Sequence, residues 1–588
     1  MPDAFLFHTD RGWCAFRGLQ VIHAAHDLAT VLPTLQRVEA AVEAHGWHAF
    51  GFISYDAAPA FDPALIAGRD PRLPLVWFGL FAACEPVDTP AVFPYPDPLP
   101  PLDWQLEPGP DGHATAIHAI RAEIAAGNTY QVNFTGRFST TYAALPHALF
   151  TRLARQQHRY AAFLDTPEWA ICSASHELFF ALDGEQVTCR PMKGTAPRGP
   201  TPDADIRLAD GLQASVKDQA ENLMIVDMVR NDLGRVAHPG SVAAPALFQL
   251  ERYPTLYQMT STVTARTAAS VTDLLQALFP SASITGAPKV STMRLINRLE
   301  HTPRGLYTGA IGHVAPGRHA LFNVAIRTAV VDKMQARAVY GVGGGITWDS
   351  RAEAEYAEAV LKADVLRAPD TRPYHLFETL RFDRASGYWL LDRHADRLIE
   401  GALQFGFTRD ATALRAAFLN HADQLARDPA CAAHPTIRVR IQLNADGTLE
   451  SRWTPLAATP SPFRVCLAPG PVDPDHPFLR HKTSVRDMYA DPARLGVDDV
   501  LHWNTRQALT EFSIGNLVLV MAGERLTPPV SAGLLPGTFR AELLSTGEIR
   551  EQTLTRDDLA RAEQVFLINA VRGWVPVALQ GSPRDTPA

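Results

Sequence analysis

The chain has 588 residues, of which 46% are hydrophobic, 20% charged and 9% aromatic, and its formal net charge is -8. That length predicts two or more domains. The acidic balance excludes a broadly basic, nucleic-acid-binding surface, so an anionic ligand must be met by locally placed Arg, Lys or metal. The six cysteines (Cys14, Cys84, Cys172, Cys189, Cys431 and Cys466) show no C-x-x-C spacing and read as thiols of a reducing compartment. The start MPDAFLFHTDRGW lacks a basic segment followed by an apolar run. No stretch approaches the roughly 18 apolar residues of a membrane helix, so a cytoplasmic protein is expected.

Taken in order, WHAFGFISYD alternates as a strand. Residues 85–112 are Pro-dense and read as a surface connector. GHATAIHAIRAEIAAGNTYQVNF predicts a helix stopped at Gly127 and then a strand. Strands and helices alternate from there to about Leu366 in a mixed α/β pattern. RAPDTRP, residues 367–373, reads as the linker between a first domain at 1–366 and a second at 374–588. The second domain opens on the strand YHLFETLRFD, and the last residues, GSPRDTPA, read as a disordered tail.

RPMKGTAPRG places Lys193 in a loop bounded by Gly and Pro, with Glu177 one short strand upstream. Such a loop has few conformations, so the lysine is held, and a held, desolvated lysine is a nucleophile. In KDQAENLMIVDMVRNDLGRV, helical spacing puts Asp218, Glu221, Ile225 and Met228 on one stripe. In RAEAEYAEAVLKA and the residues after it, Glu355, Glu358, Leu361 and Val365 do the same. Two helices, each offering an acidic pair, suit magnesium, which takes few carboxylates, keeps waters and binds substrate oxygens. FPSASITGAPKVSTM, with Ser283, Thr285, Gly286 and Lys289, allows close backbone approach to a ligand. Gly343, Gly344 and Gly345 in YGVGGGITWDS are positioned to offer amides to a carboxylate. Arg327 reads as a charge in an apolar strand, where a substrate carboxylate is a suitable partner.

These motifs, together with LYTGAIG and AIRTA, resemble the chorismate-utilising enzymes over most of residues 115–366. Lys193 is similar to the lysine of the branch that makes aminodeoxychorismate, where anthranilate-forming members typically have alanine. The resemblance implies that Lys193 is the nucleophile and Glu177 the general acid and base on the departing hydroxyl. It implies Glu221 and Glu358 as direct magnesium ligands, with Asp218 and Glu355 at water-bridged positions. Arg327, Lys362, Tyr307, Thr285, Gly286 and the run Gly343–Gly345 take the substrate-binding positions. Two residues depart from the pattern: Gln258 stands where many relatives have histidine, and Ala282 where glycine is usual. No Gly-x-Cys-x-Gly elbow of a glutamine amidotransferase is present, so ammonia is expected from a separate subunit or from solution.

Downstream, RHKTSVRDMY, LTEFSIGNLV, LLPGTFR and FLINAVRGWVPV, with FETLR and DRHADRLIEGALQFGF near the start, resemble the fold-type IV pyridoxal-phosphate enzymes. That resemblance spans nearly all of 374–580. It implies Lys482 as the lysine that bonds pyridoxal 5'-phosphate and Glu511 as the partner of the pyridine nitrogen. Arg397, Gly537, Thr538, Asn569 and Ala570 are implied around the cofactor, with Arg397 and Thr538 on the phosphate. The expected fold is mixed α+β: an antiparallel β-sandwich with helices, then a fold-type IV domain. The expected activities are magnesium-dependent amination of chorismate and elimination of pyruvate from the product. An amino-acid aminotransferase in the second half, or anthranilate or isochorismate formation in the first, stands as the alternative. A homodimer through the second domain is also implied.

Overall fold

A computed structural model describes residues 4–580 apart from 10–11, 88–101, 155–158, 200–201, 254–255, 367–373, 406, 408–409, 475 and 477. The expected linker at 367–373, the tail at 581–588 and the middle of the Pro-dense connector lie outside the described residues. One compact unit comprises 1–199 with 205–371, and the other comprises 372–588 with 200–204.

Among the described residues the first unit is built on eighteen strands. Its pairing is antiparallel throughout: tight turns such as the one at Gly317 (φ 78°) return some strands beside their predecessors, and longer connections bring others to partners distant in sequence. Val76–Pro86 pairs with Gly12–Ala25 on one side and His48–Ile53 on the other, joining two halves of a ribbon. One half runs through Phe5–Thr9, Ala162–Asp165, Trp169–Ser173, Thr328–Asp332 and Arg337–Ile346 to Gln131–Thr141. The other runs through Ala310–Ala315, His319–Val324, Leu178–Asp183 and Gln186–Cys189 to Leu256–Arg266. Phe7, Phe16 and Ile171 of the first half meet Phe50, Phe52 and Ile311 of the second in one core, with Phe16 stacked on Phe50 at 4.5 Å. Full burial of such side chains stabilises by about 1.5–3 kcal/mol each, so this sandwich is a stiff frame.

Helices cover the outer faces. Leu28–His45, Val216–Gly234 and Val271–Leu278 bury their apolar stripes in one cluster with Phe180 and Val263. Pro110–Ala125 begins with Pro at its first position and is followed by Gly127 in the left-handed region (φ 76°). It packs Ala116, Ile117 and Ile120 over Val132, Phe134 and Ile346, where the central strands end.

The second unit has two sheets. Leu376–Asp383, Thr436–Leu443 and Leu449–Pro455 form an antiparallel sheet with Gly387–Tyr388. Helices Leu391–Phe405 and Ala411–Arg427 pack on it. The other sheet, of eight strands, is mixed, with Phe463–Leu467 parallel to both Asp499–Trp503 and Gly573–Leu579. Among the described residues no helix is long and apolar enough to cross a membrane.

Candidate functional site

Lys193 lies in a strand, Met192–Pro197, and not in a loop. The strand pairs with Leu256–Arg266, but its register slips between Met192 and Thr195. Gly194 there has φ 93°, and a Cβ on it would meet the Asp218 side chain at 3.0 Å. Gln258 clamps this irregularity. Its Nε2 donates to the Gly194 carbonyl (2.9 Å), and its Oε1 accepts from Thr195 Oγ1 (3.0 Å). Asn222 Nδ2 reaches the Lys193 carbonyl at 3.4 Å. Gln258 therefore braces the backbone beside the lysine.

A full hairpin, not one short strand, separates Lys193 from Glu177: Leu178–Asp183 returns as Gln186–Cys189. Glu177 is 4% exposed and accepts a hydrogen bond from Ser283 Oγ. Burial raises its pKa to about 7, against the pull of Ser283 and Lys193. Burial lowers the Lys193 pKa; Glu221 opposes that, Lys362 adds to it, and Glu177 and Glu358 oppose it. An acid poised near neutrality thus faces an amine held below its ordinary value, the pairing that proton transfer with nucleophilic attack requires. Two neighbours had no signal beyond the motifs containing them. Ser283 anchors Glu177, and His176 is held neutral by burial, with its pKa pushed down to about 3.

The acids approach from two helices. Asp218 and Glu221 lie on Val216–Gly234, capped by Ser215, and Glu355 and Glu358 lie on Ala352–Leu361. On the second helix the predicted stripe fails, since Leu361 is 62% exposed and the buried face carries Ala352 and Ala359. The acids there turn towards Gly344 of the strand Arg337–Ile346. Burial raises Glu221, and Asp218 and Glu355 raise it further. Burial likewise raises Glu355, with Glu358 adding to it. Lys362 lowers Glu358 through a 2.7 Å ion pair. Mutual repulsion among these oxygen donors fits a hard cation such as magnesium. Among the described residues, no three of these carboxylates bring ligand oxygens within 4.8 Å of one another.

The glycine run lies inside the strand Arg337–Ile346, with Gly343, Gly344 and Gly345 opposite Thr135, Phe134 and Asn133. Its value here is the missing side chains. A Cβ at Gly344 would come within 3.3 Å of Glu355 Oε2, and one at Gly345 within 2.3 Å of Gln131 Nε2 and 2.9 Å of Lys193 Nζ. Gln131, absent from the sequence-based set, reaches Glu221 Oε2 at 3.4 Å, and its own buried Oε1 has no partner among the described residues. Gly345→Ala is expected to displace the lysine and lower turnover about a hundredfold while the melting temperature moves little. Steady-state kinetics beside calorimetry test this, and unchanged kcat would refute it.

Arg327 does not sit in a strand. It stands between His319–Val324 and Thr328–Asp332 with φ 52°, and its Nη1 donates to the Lys362 carbonyl. The guanidinium therefore already has a partner. Lys362 Nζ donates to the Gly343 carbonyl at 2.8 Å. Tyr307 packs against Gly341, where a Cβ would sit 2.2 Å from its ring, and Arg137 lies over its other side at 5.1 Å. Thr285 is fully buried and its hydroxyl donates to the carbonyls of Ser281 and Ala282. Gly286 (φ 134°) presses on the Gln131 carbonyl, which excludes any side chain there. Lys289 is engaged by Asp232 at 3.0 Å.

The second constellation lies in the other unit. Lys482 follows no regular element, and its carbonyl accepts from Phe377 N (3.0 Å). Burial lowers its ammonium pKa to about 7, helped by Arg397 and opposed by Glu378 and Glu511. Glu511 and Asn516 face each other across the hairpin formed by Leu509–Phe512 and Gly515–Met521. Glu511 Oε1 accepts from Tyr489 Oη (2.7 Å) and Leu535 N (2.9 Å), and burial raises it to about 7. Gly537 caps the helix Thr538–Ser545, and a Cβ on it would lie 1.9 Å from Asn516 Oδ1. Asn569 holds a turn, its Oδ1 accepting from Val571 and Arg572 N–H, while Ala570 packs with Phe539 beside that helix.

Helix Leu391–Phe405 places His394 and Arg397 on its buried face, against Glu378. Arg397 binds Glu378 through Nε (2.8 Å) and Nη2 (2.7 Å), and His394 Nδ1 lies 2.6 Å from Glu378 Oε2. Thr538 Oγ1 joins this chain at 3.2 Å from His394 Nε2. Despite burial, Arg397 and His394 hold Glu378 down at about 2, from an ordinary 4.5. A depressed carboxylate stabilises the fold fully above the unfolded value, and that stability is lost as pH falls from about 4.5 towards 2. Glu378→Gln is expected to cost about 3 kcal/mol at pH 7 and to flatten the pH dependence of unfolding below pH 4.5. Denaturant titrations from pH 3 to 7 check this, and an equally steep acid loss in the variant would refute it.

Comparison with known proteins follows the same division. Residues 11–368 match the chorismate binding enzyme family, and residues 375–579 match amino-transferase class IV. An aminodeoxychorismate synthase of Streptomyces griseus is 37% identical over 379 residues, covering 63% of this chain and 47% of that protein. Aminodeoxychorismate synthase component 1 of Salmonella typhimurium is 41% identical over 269 residues, covering 45% of this chain and 59% of that protein. The chain thus spans about half of the length of these relatives. Anthranilate synthase component I from Streptococcus pneumoniae shares the fold, with a TM-score of 0.52 at 23% identity over 62% of this chain and 92% of that one. Because the first family match extends over more than half of the sequence, the chain belongs to the chorismate binding enzyme family.

Proposed function

We propose that the first unit aminates chorismate to 4-amino-4-deoxychorismate and that the second eliminates pyruvate from that product to give 4-aminobenzoate, a folate precursor. The observation that carries the first step is Lys193: half-buried, its Nζ against Gly345, lowered in pKa, and influenced by Glu177 and by carboxylates of two helices. Relatives named as aminodeoxychorismate synthases support the substrate class. In this reading Lys193 Nζ forms a bond to the chorismate ring carbon while the C–O bond to the hydroxyl breaks. Glu177 supplies the proton, so the hydroxyl departs as water. Ammonia then displaces the lysine, and Glu177 manages the protons again. Arg327 and Lys362 face the substrate carboxylates, with Tyr307 and Thr285 shaping the walls. Glu221 and Glu358, with Asp218 and Glu355 behind water, would hold magnesium, which supplies charge neutralisation for a bound carboxylate.

The second unit's residues fit pyridoxal 5'-phosphate. A half-buried amine and a buried carboxyl influence one another electrostatically, and the helix N-terminus at Thr538 begins at a glycine that admits no side chain. The cofactor supplies an electron sink when bound. Lys482 would bond it, Glu511 would hold a proton at the pyridine nitrogen, and Thr538 with Arg397 would secure its phosphate. Once the substrate amine has displaced it from the cofactor, Lys482 would be free to take the proton from the amine-bearing carbon, and pyruvate would leave as the ring becomes aromatic. Ammonia comes from a separate amidotransferase component, in keeping with the "component 1" relatives, or from solution. Dimerisation through 374–588 belongs to the same proposal, and a monomer in sedimentation would count against it.

Incubation with chorismate, magnesium, ammonium and pyridoxal phosphate, followed by mass identification, tests the whole reading. 4-Aminobenzoate with pyruvate is the expected result. Aminodeoxychorismate alone would leave the second half an aminotransferase. Anthranilate would refute the first half, and an anthranilate synthase component 1 of Haloarcula marismortui, 38% identical over 268 residues, makes that outcome a specific rival.

A further inference from the structure

Away from both sites, one edge of the sandwich gathers His48, Cys84 and His313. Three neighbouring strands supply them: His48–Ile53, Val76–Pro86 and Ala310–Ala315. His313 lies opposite Phe50 in the ladder, so His48, two residues earlier, is its diagonal neighbour on the same face. Cys84 lies opposite Phe16, which packs edge-on against His313 at 5.1 Å. These residues belong to neither of the sites above.

Their spacing is that of a ligand set. His48 Nδ1 stands 3.2 Å from His313 Nε2. Both nitrogens and the Cys84 sulfur fall within 4.8 Å of one another. Tetrahedral zinc, with bonds of about 2.0–2.1 Å to nitrogen, sets ligand nitrogens roughly 3.3 Å apart. A hydrogen bond between two imidazoles accounts for the 3.2 Å contact, but not for a thiol within reach of both. Cys14 lies opposite Pro86 in the ladder, diagonal to Cys84 on the same face, and its thiol is hydrogen-bonded to Cys84. The donors are imidazole and thiolate, in contrast to the all-oxygen set beside Lys193, so the two centres would select different ions.

We infer that His48, Cys84 and His313 form a site for one zinc ion, with the fourth position left to water or to Cys14. Binding joins the Cys84 sulfur to the metal and releases one thiol proton to solvent.

The test uses the full chain, stripped by a chelator under reducing conditions and titrated with cobalt(II). One equivalent is expected to produce a thiolate-to-cobalt charge-transfer band and the intense visible bands of a four-coordinate ion, both erased by zinc. Cys84→Ser should lose the charge-transfer band, and His313→Gln should weaken binding at least about tenfold. His48→Gln, at a half-exposed position, gives a second histidine variant if the more deeply set His313→Gln fails to fold. No band in the parent chain, or an equal band in all three variants, would overturn the assignment. A Cys14–Cys84 disulfide in the freshly purified chain would overturn it too, by giving the thiols to a cross-strand bond.

Discussion

Lys193→Ala is expected to abolish ammonia-dependent formation of aminodeoxychorismate, lowering kcat at least about a thousandfold. No other amine in the described site is placed to replace it. Lys362 is engaged by the Gly343 carbonyl and by Glu358, and Lys289 by Asp232. Loss of the amine would also leave Glu221 without the neighbour that most opposes its raised pKa. Lys193→Met keeps an unbranched side chain beside Gly345 while removing the amine, so it serves as a second variant. Chorismate binding should persist in both variants, measured by calorimetry, because the residues assigned to its carboxylates are untouched. The pH profile carries a further signature. Glu177 at about 7 must be protonated when the hydroxyl leaves, so kcat should fall as pH rises through neutrality. A Lys193→Ala protein with parental turnover would remove the covalent route and the role given to this strand.

Lys482→Ala is expected to remove the cofactor's visible absorption and all pyruvate release while leaving the first reaction intact. The amine is half-buried and burial lowers its pKa to about 7, so at neutral pH a large share of it is unprotonated and ready to bond a carbonyl. Incubation with chorismate and ammonium should then accumulate aminodeoxychorismate. A variant that still releases 4-aminobenzoate would reassign the proton transfer to another group. Glu511→Gln offers a graded counterpart, since it keeps the hydrogen bonds of Tyr489 and Leu535 and removes only the acid.

Much of the candidate chemistry was legible as residue types at set intervals. The helix from Val216 to Gly234 announced Asp218 and Glu221 by their three-residue spacing. Misreadings fell where local pattern competes with long-range pairing. RPMKGTAPRG looked like a loop because Gly and Pro break regular structure, yet pairing with Leu256–Arg266 imposes a strand that tolerates Gly194 as a bulge. Arg327 looked like a strand residue because its neighbours are apolar, while a positive φ turns its side chain towards the Lys362 carbonyl.

By itself, the sequence determined the helical placement of the carboxylates, and its resemblance to two families divided the chain and singled out both lysines and their acids. The helical placement is a property of residue type and short-range period, which depends on little beyond the neighbouring few residues. Only the tertiary structure decided that Glu177 and Lys193 share a buried space, that Gln258 braces the backbone beside the lysine, and that Glu378 stands between Arg397 and His394. Each of those depends on strands or helices distant in sequence meeting at one register, and on the desolvation that follows. A pKa near 7 for Glu177 or Lys482 is a property of burial, which no local pattern contains.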